Sequence, residues 1–183
     1  GIIQEPRVLT IDSQKTIKPG NELVFSAMLY DQAGHNMDSL PVAFSFNDAN
    51  GKQILNILSK TSDKNYYDMK KDAPYGIWNL SAESEGVSSG KFQIYVETNR
   101  EASFEFVNNT LVIRNIGNVP YDKLVEIKIG NHSEVKNLNL SLGKSIELEL
   151  GAPNGKYNVS VSDGTSSISG IVALTGDVIG IKD

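Results

Sequence analysis

Apolar and polar residues alternate with a period of two along most of this chain, and the stretch LGKSIELELGAPNGKYNVSVSDG, residues 142 to 164, shows the pattern most clearly. Ile146, Leu148 and Leu150 fall on one side, as do Tyr157, Val159 and Val161, while Glu147, Glu149, Asn158 and Ser160 fall on the other. Successive side chains take opposite faces only in an extended strand, so the pattern specifies β-structure with one buried and one wetted face. The stretch reads as a hairpin.

The same alternation recurs throughout, with no convincing helix. Strands are predicted at Val8 to Asp12, Leu23 to Asp31, Val42 to Asn47, Ile54 to Lys60, Tyr66 to Lys70, Trp78 to Ala82 and Lys91 to Glu97. The spacing of Ile54, Leu55, Ile57 and Leu58 also fits a helical turn, but β-branched residues and the preceding Asn50-Gly51 hairpin signal favour a strand. Lys18-Pro19-Gly20-Asn21 places Pro and Gly where a type II turn needs them.

The pattern then restarts. A second set of strands follows at Phe104 to Val107, Leu111 to Asn115, Val125 to Ile129, Val135 to Leu142, Ser145 to Leu150, Tyr157 to Ser162 and Ser167 to Ala173. Repeated short strands separated by turn residues indicate sandwiches, and 183 residues suit two domains of about 90 better than one. The expected fold class is all-β, two tandem immunoglobulin-like sandwiches at residues 1–99 and 100–183. The join, Thr98 to Ala102, has no Pro, Gly or Ser run, which predicts domains held end to end with restricted swing.

Charge and composition exclude several function classes. A net charge of −5 argues against nucleic acid, whose phosphates need clustered Lys and Arg. The basic doublet Lys70-Lys71 is flanked by Asp68 and Asp72. The absence of cysteine removes disulfides, thiolate nucleophiles and Cys-based zinc sites together. No run approaches the roughly 18 apolar residues of a membrane span. The apolar, Gly-rich ending from Ser167 reads as a last edge strand with a tail, or alternatively as a strand followed by a juxtamembrane connector.

Chemistry-bearing residues are sparse. His35 and His132 sit in turns of different domains, neither beside a carboxylate at ligand spacing, so no metal site is predicted. Asp31, Asp38, Asp48 and Asp163 lie at strand ends, where Asp caps its own turn. No nucleophile elbow, phosphate-binding loop, calcium loop or cofactor motif occurs, and no catalytic residue is assigned. Trp78, alternating with Leu80 and Ala82, is expected in the first core, and Tyr157 is expected to bond its hydroxyl back across a sandwich corner. Tyr66, Tyr67 and Tyr75, gathered near charges, form a candidate contact patch, with ordinary sheet packing as the alternative.

Each half resembles a known kind of sandwich. In the first, the Pro19-Gly20 turn, Asp31-x-x-Gly34, Asp48-x-x-Gly51 and Gly76-x-Trp78 resemble the macroglobulin-like and invasin-like domains of exported proteins. In the second, Asn115-x-Gly117-Asn118 and Pro153-x-Gly155-x-Tyr157 resemble the cell-adhesion-related domains of bacterial and archaeal surface proteins. The resemblance implies an extracytoplasmic location, with an archaeal character to the Gly176-Asp177-Val178-Ile179-Gly180 ending, and brings no active residues with it.

One pattern goes beyond turn grammar. Asn79, Asn108, Asn131, Asn139 and Asn158 each begin an Asn-x-Ser/Thr acceptor for N-glycosylation. Within strands the middle residues Leu80, Leu140 and Val159 point inward, which places Asn and Ser on the wetted face. The function this predicts is a non-enzymatic structural or binding ectodomain of a cell-envelope protein, with envelope proteins or glycans as partners and any membrane anchor outside this chain. The alternatives are a homopolymeric extracellular filament, in which Gly1 to Asp12 or Ile168 to Ile181 pairs with a neighbour's sheet edge, and an accessory domain of an exported enzyme.

Overall fold

The computed structural model describes residues 3–182, so the proposed donor strand Gly1 to Asp12 begins outside the described residues. The chain divides after Thr98 into two compact units. All regular structure among the described residues is β, and each unit is a sandwich of two sheets.

The first unit contains β1 (Pro6–Ser13), β2 (Thr16–Ile17), β3 (Glu22–Asp31), β4 (Pro41–Asn47), β5 (Gln53–Lys60), β6 (Asn65–Asp68), β7 (Gly76–Ser84) and β8 (Val87–Val96). One sheet has the order β1-β3-β6 and the other β2-β8-β7-β4-β5. Every pairing is antiparallel except β2 with β8, where the chain has crossed between sheets after β1. The two residues of β2 are too few to show a periodicity, so this strand was not legible in the sequence. Alternation in β3, β4 and β7 delivers Phe25, Phe44, Phe46 and Trp78 to the space between the sheets, each at most 2% exposed. Phe25 meets Phe44 edge to face at 5.0 Å, and the Phe46 ring centre lies 5.1 Å from that of Trp78. The segment 53–60 is a strand, as its β-branched content requires, with Leu55 and Ile57 on the core side and Leu58 outward.

The second unit contains β9 (Ala102–Val107), β10 (Thr110–Asn115), β11 (Tyr121–Ile129), β12 (His132–Leu140), β13 (Ser145–Gly151), β14 (Gly155–Ser162), β15 (Ser167–Leu174) and β16 (Gly180–Lys182). Its sheets run β16-β13-β10-β9 and β12-β11-β14-β15. Leaving aside the short β2 and β16, both units share one arrangement: the first, second and fifth strands face the third, fourth, sixth and seventh. This is the immunoglobulin-like plan.

Two sequence expectations are corrected. The 142–164 stretch is not a hairpin: β13 pairs with β10 and β16, whereas β14 pairs with β11 and β15 in the facing sheet. Its alternation correctly reports which side chains are buried, but facing sheets share one core, so a period of two cannot identify the hydrogen-bonded partner. The Gly-rich ending is neither tail nor connector through Lys182, because Gly180 to Lys182 returns to pair with Glu149 to Gly151. Both proposed exchange donors are likewise paired within the chain, β1 with β3 and β15 with β14.

Candidate functional site

The turns that resembled known sandwiches are hydrogen-bonded clasps. Asp31 Oδ1 accepts from the amides of Ala33 (2.9 Å) and His35 (2.8 Å), and its Oδ2 accepts from Gln4 Nε2 at 2.8 Å. The Gln4 bond and then the His35 amide hold this carboxyl below the usual range, against the opposing effect of burial. Asp48 Oδ1 accepts from the amides of Asn50 and Lys52, and Asp38 accepts from the Ser62 hydroxyl. Asp31 and Asp48 thus cap their own turns, as Asp163 does below, whereas Asp38 is not at a strand end: it lies in the loop between β3 and β4 and ties that loop to the turn after β5.

In the second unit the Asn-x-Gly-Asn sequence fastens the start of the sandwich. Asn115, 2% exposed, donates to the carbonyls of Val119 (3.0 Å) and Leu140 (3.1 Å) and accepts from the Gly117 amide. Asn118 Oδ1 accepts from the Asn99 amide at 2.6 Å, while the Asn118 amide donates to the Asn99 carbonyl. That carbonyl lies so close that a Cβ on Gly117 would sit 2.0 Å from it. Only glycine fits. Asn99 thus belongs with the second unit, one residue before the boundary the sequence indicated.

Two tyrosines lock the second sandwich, and the sequence pointed to the lesser one. Tyr157 is only half-buried and donates to the Pro153 carbonyl at 2.6 Å, closing the Pro-x-Gly-x-Tyr turn. Tyr121 is fully buried and donates to Asp163 Oδ2 at 2.8 Å. Burial and then the Asp163 bond push the Tyr121 hydroxyl well above its ordinary pKa. For Asp163, burial alone would raise the carboxyl, but bonds from the Ser166 and Thr165 amides, the Tyr121 hydroxyl and the Thr165 hydroxyl together bring it below the usual range. Tyr121 follows Pro120 at the start of a strand and 42 residues from its partner, a separation that leaves no local signal.

The tyrosine patch does not form as one surface. Tyr66 and Tyr75 are exposed, but Tyr67 turns inward, 5.7 Å from Phe46 and 6.4 Å from Trp78. Adjacent residues of β6 must face opposite ways. The histidines each meet a carboxylate that sequence spacing did not reveal: His35 Nδ1 lies 3.7 Å from Asp31 Oδ2, and His132 Nε2 lies 3.0 Å from Glu134 Oε1. Among the described residues no group of three His, Asp or Glu side chains could hold a metal ion.

The acceptor asparagines give the most coherent surface. Asn108, Asn131, Asn139 and Asn158 are exposed, while Leu140 and Val159, the middle residues of two sequons, are buried. Asn139 on β12 and Asn158 on β14 share the outer face of the β12-β11-β14-β15 sheet, and Asn131 lies in the β11–β12 turn at its end. Asn108 occupies the β9–β10 turn with φ of 56°, a left-handed conformation that Asn tolerates better than most residues. Asn79 differs. It is half-buried opposite Asn47 across β7 and β4, and the Oδ1 atoms of both are buried without a hydrogen-bond partner.

These sandwiches and clasps define an immunoglobulin-like class of all-β protein. No protein-family model and no curated protein matches the chain. Among solved structures it is similar to trypsin-activated alpha-2-macroglobulin from Escherichia coli, at 12% identity and TM-score 0.45, covering 93% of this chain. It is also similar to the fibronectin(III)-like modules of Clostridium thermocellum CbhA, at 15% identity and TM-score 0.34, covering 92% of this chain and 94% of that one. A third similarity is to the FN1–FN3 domains of chicken CNTN1, at 15% identity and TM-score 0.35, covering 92% and 66%. The chain spans only 16% of the macroglobulin's length.

Proposed function

We propose that this chain is a non-enzymatic structural or binding segment of a cell-envelope protein, facing outside the cell and carrying glycans on asparagine. The observation that supports this reading is the set of exposed acceptors Asn108, Asn131, Asn139 and Asn158, three of them on or at the end of one sheet. An exposed amide with its hydroxyl residue two positions later on the same strand face is open to a transferase, and a sugar there displaces no core contact. The immunoglobulin-like framework supplies the rest: rigid paired strands, with polar side chains on the outer faces available for contact.

No helix among the described residues is long and apolar enough to cross a membrane. The test is the intact mass of protein purified from its native source. The proposal expects an excess over the bare polypeptide that is removed by chemical deglycosylation; material of bare mass would defeat it.

A further inference from the structure

The edge strands of the four sheets are unequal. A sheet edge exposes unpaired N–H and C=O groups, which soluble proteins guard with charges, prolines, bulges or brevity. Here β1 carries Pro6, Arg7, Asp12 and a bulge, β5 ends in Lys60, β6 has Asp68, β9 has Glu105, β12 has Glu134 and Lys136, β16 has Lys182, and β2 is two residues long. The exception is β15, Ser167–Leu174, SISGIVAL, which has eight residues and neither charge nor proline. Its one neighbour in the sheet is β14. At its middle Ile171 stands 72% exposed on the outer face.

We propose that β15 is a self-association edge that pairs antiparallel with β15 of a second copy about a two-fold axis at Ile171. Parity puts the two-fold on a residue position, and the exposure of Ile171 selects that residue. Ser167, Ser169, Ile171 and Ala173 point outward, and Ile168, Gly170, Val172 and Leu174 point toward the core. Directly opposed residues in an antiparallel pair share a face, so an isologous pairing must oppose outward with outward and inward with inward. Centring on Ile171 sets it against its own copy, Ser169 against Ala173, Gly170 against Val172 and Ile168 against Leu174. The most exposed apolar side chain of the strand is thereby covered by its counterpart, and no charge is buried. A second copy satisfies every one of these pairings with the same sequence. An isologous contact also closes on itself, which predicts a dimer and not a filament.

The test uses the full chain produced in a host that adds no glycan, so that its outcome is independent of the sugar reading. Sedimentation velocity is expected to show a monomer–dimer equilibrium with rising concentration, lost in Ile171→Lys, which would oppose like charges. Mixing Ile171→Lys with Ile171→Glu should restore the dimer. Because the chain has no cysteine, Ile171→Cys reports register directly. With oxidised glutathione it should cross-link to a dimer much faster than Leu124→Cys, a control 63% exposed on the same sheet face but on an interior strand. Thermal melts of each variant establish that it is folded. A wild-type chain monomeric at about 1 mM, or equal cross-linking at positions 171 and 124, or a dimer indifferent to Ile171→Lys, would overturn the proposal.

Discussion

Replacing Tyr121 by Phe removes one hydroxyl from the end of the second sandwich where β14 turns into β15. Asp163 has a side chain 1% exposed, and its Oδ1 accepts from the amides of Thr165 (2.9 Å) and Ser166 (2.7 Å) and the Thr165 hydroxyl (3.0 Å). Its Oδ2 holds the Tyr121 hydroxyl at 2.8 Å, with Lys123 Nζ more distant at 3.9 Å. The substitution therefore leaves one buried carboxylate oxygen with only the weaker ammonium contact, while the ring keeps its packing. A hydrogen bond to a charged partner contributes about 1.5–3 kcal/mol, so the cost is about 2 kcal/mol. In a unit of this size that lowers its melting temperature by roughly 10 °C. The single tryptophan, Trp78, lies in the first unit, so its fluorescence tracks that unit while far-ultraviolet circular dichroism tracks both. The dichroism transition of the second unit should move and the fluorescence transition should not. Since the folded Asp163 carboxyl is held below its ordinary value, its stabilisation is fully present above about pH 4 and is lost as pH falls through the lower folded value. Losing the Tyr121 bond raises that folded value, so the acid limb of the variant should lie at higher pH. A melting temperature within about 2 °C of wild type, with an unmoved acid limb, would refute this account of the clasp.

Trp78→Ala should cost the first unit about 3–5 kcal/mol, as removal of a buried aromatic does, whereas Tyr157→Ala should cost about 1 kcal/mol, because its ring is half-buried and chiefly its hydroxyl bond is lost; urea melts compare them, and equal losses would contradict the burial assignments. Gly117→Ala forces a methyl into the Asn99 carbonyl and should cost about 3 kcal/mol or abolish folding of the second unit, again read by urea melts. Unchanged stability would mean that the Asn99 clasp does not hold in solution.

Much of the fold was legible because alternation is local. Leu80, Leu140 and Val159 were assigned inward from their neighbours alone, and each is buried. The same reasoning puts Trp78 in the core, and residue type and position identify Asp31, Asp48 and Asp163 as turn caps, whereas the tie of Asp38 to Ser62 has no local signal. What lay beyond reach was nonlocal. Nothing in residues 142–164 says that β13 and β14 belong to different sheets, and nothing near Tyr121 names Asp163. The three-residue β16 was hidden because Gly176 and Gly180, with φ of 128° and 149°, carry the chain through conformations that have no period. For the candidate site, acceptor patterns are visible as text, but that Asn131, Asn139 and Asn158 belong to one sheet follows only from the topology, as does the half-buried pairing that separates Asn79 from them.

That separation supplies the most direct measurement, site-by-site glycan occupancy on natively sourced protein by peptide mass spectrometry. The account predicts hexose-type mass on Asn108, Asn131, Asn139 and Asn158, with occupancy at Asn79 markedly lower because that side chain is half-buried opposite Asn47 with its Oδ1 fully covered. Bare asparagine at all four exposed positions would contradict the central claim, and full occupancy at Asn79 would contradict the surface geometry on which the claim is built.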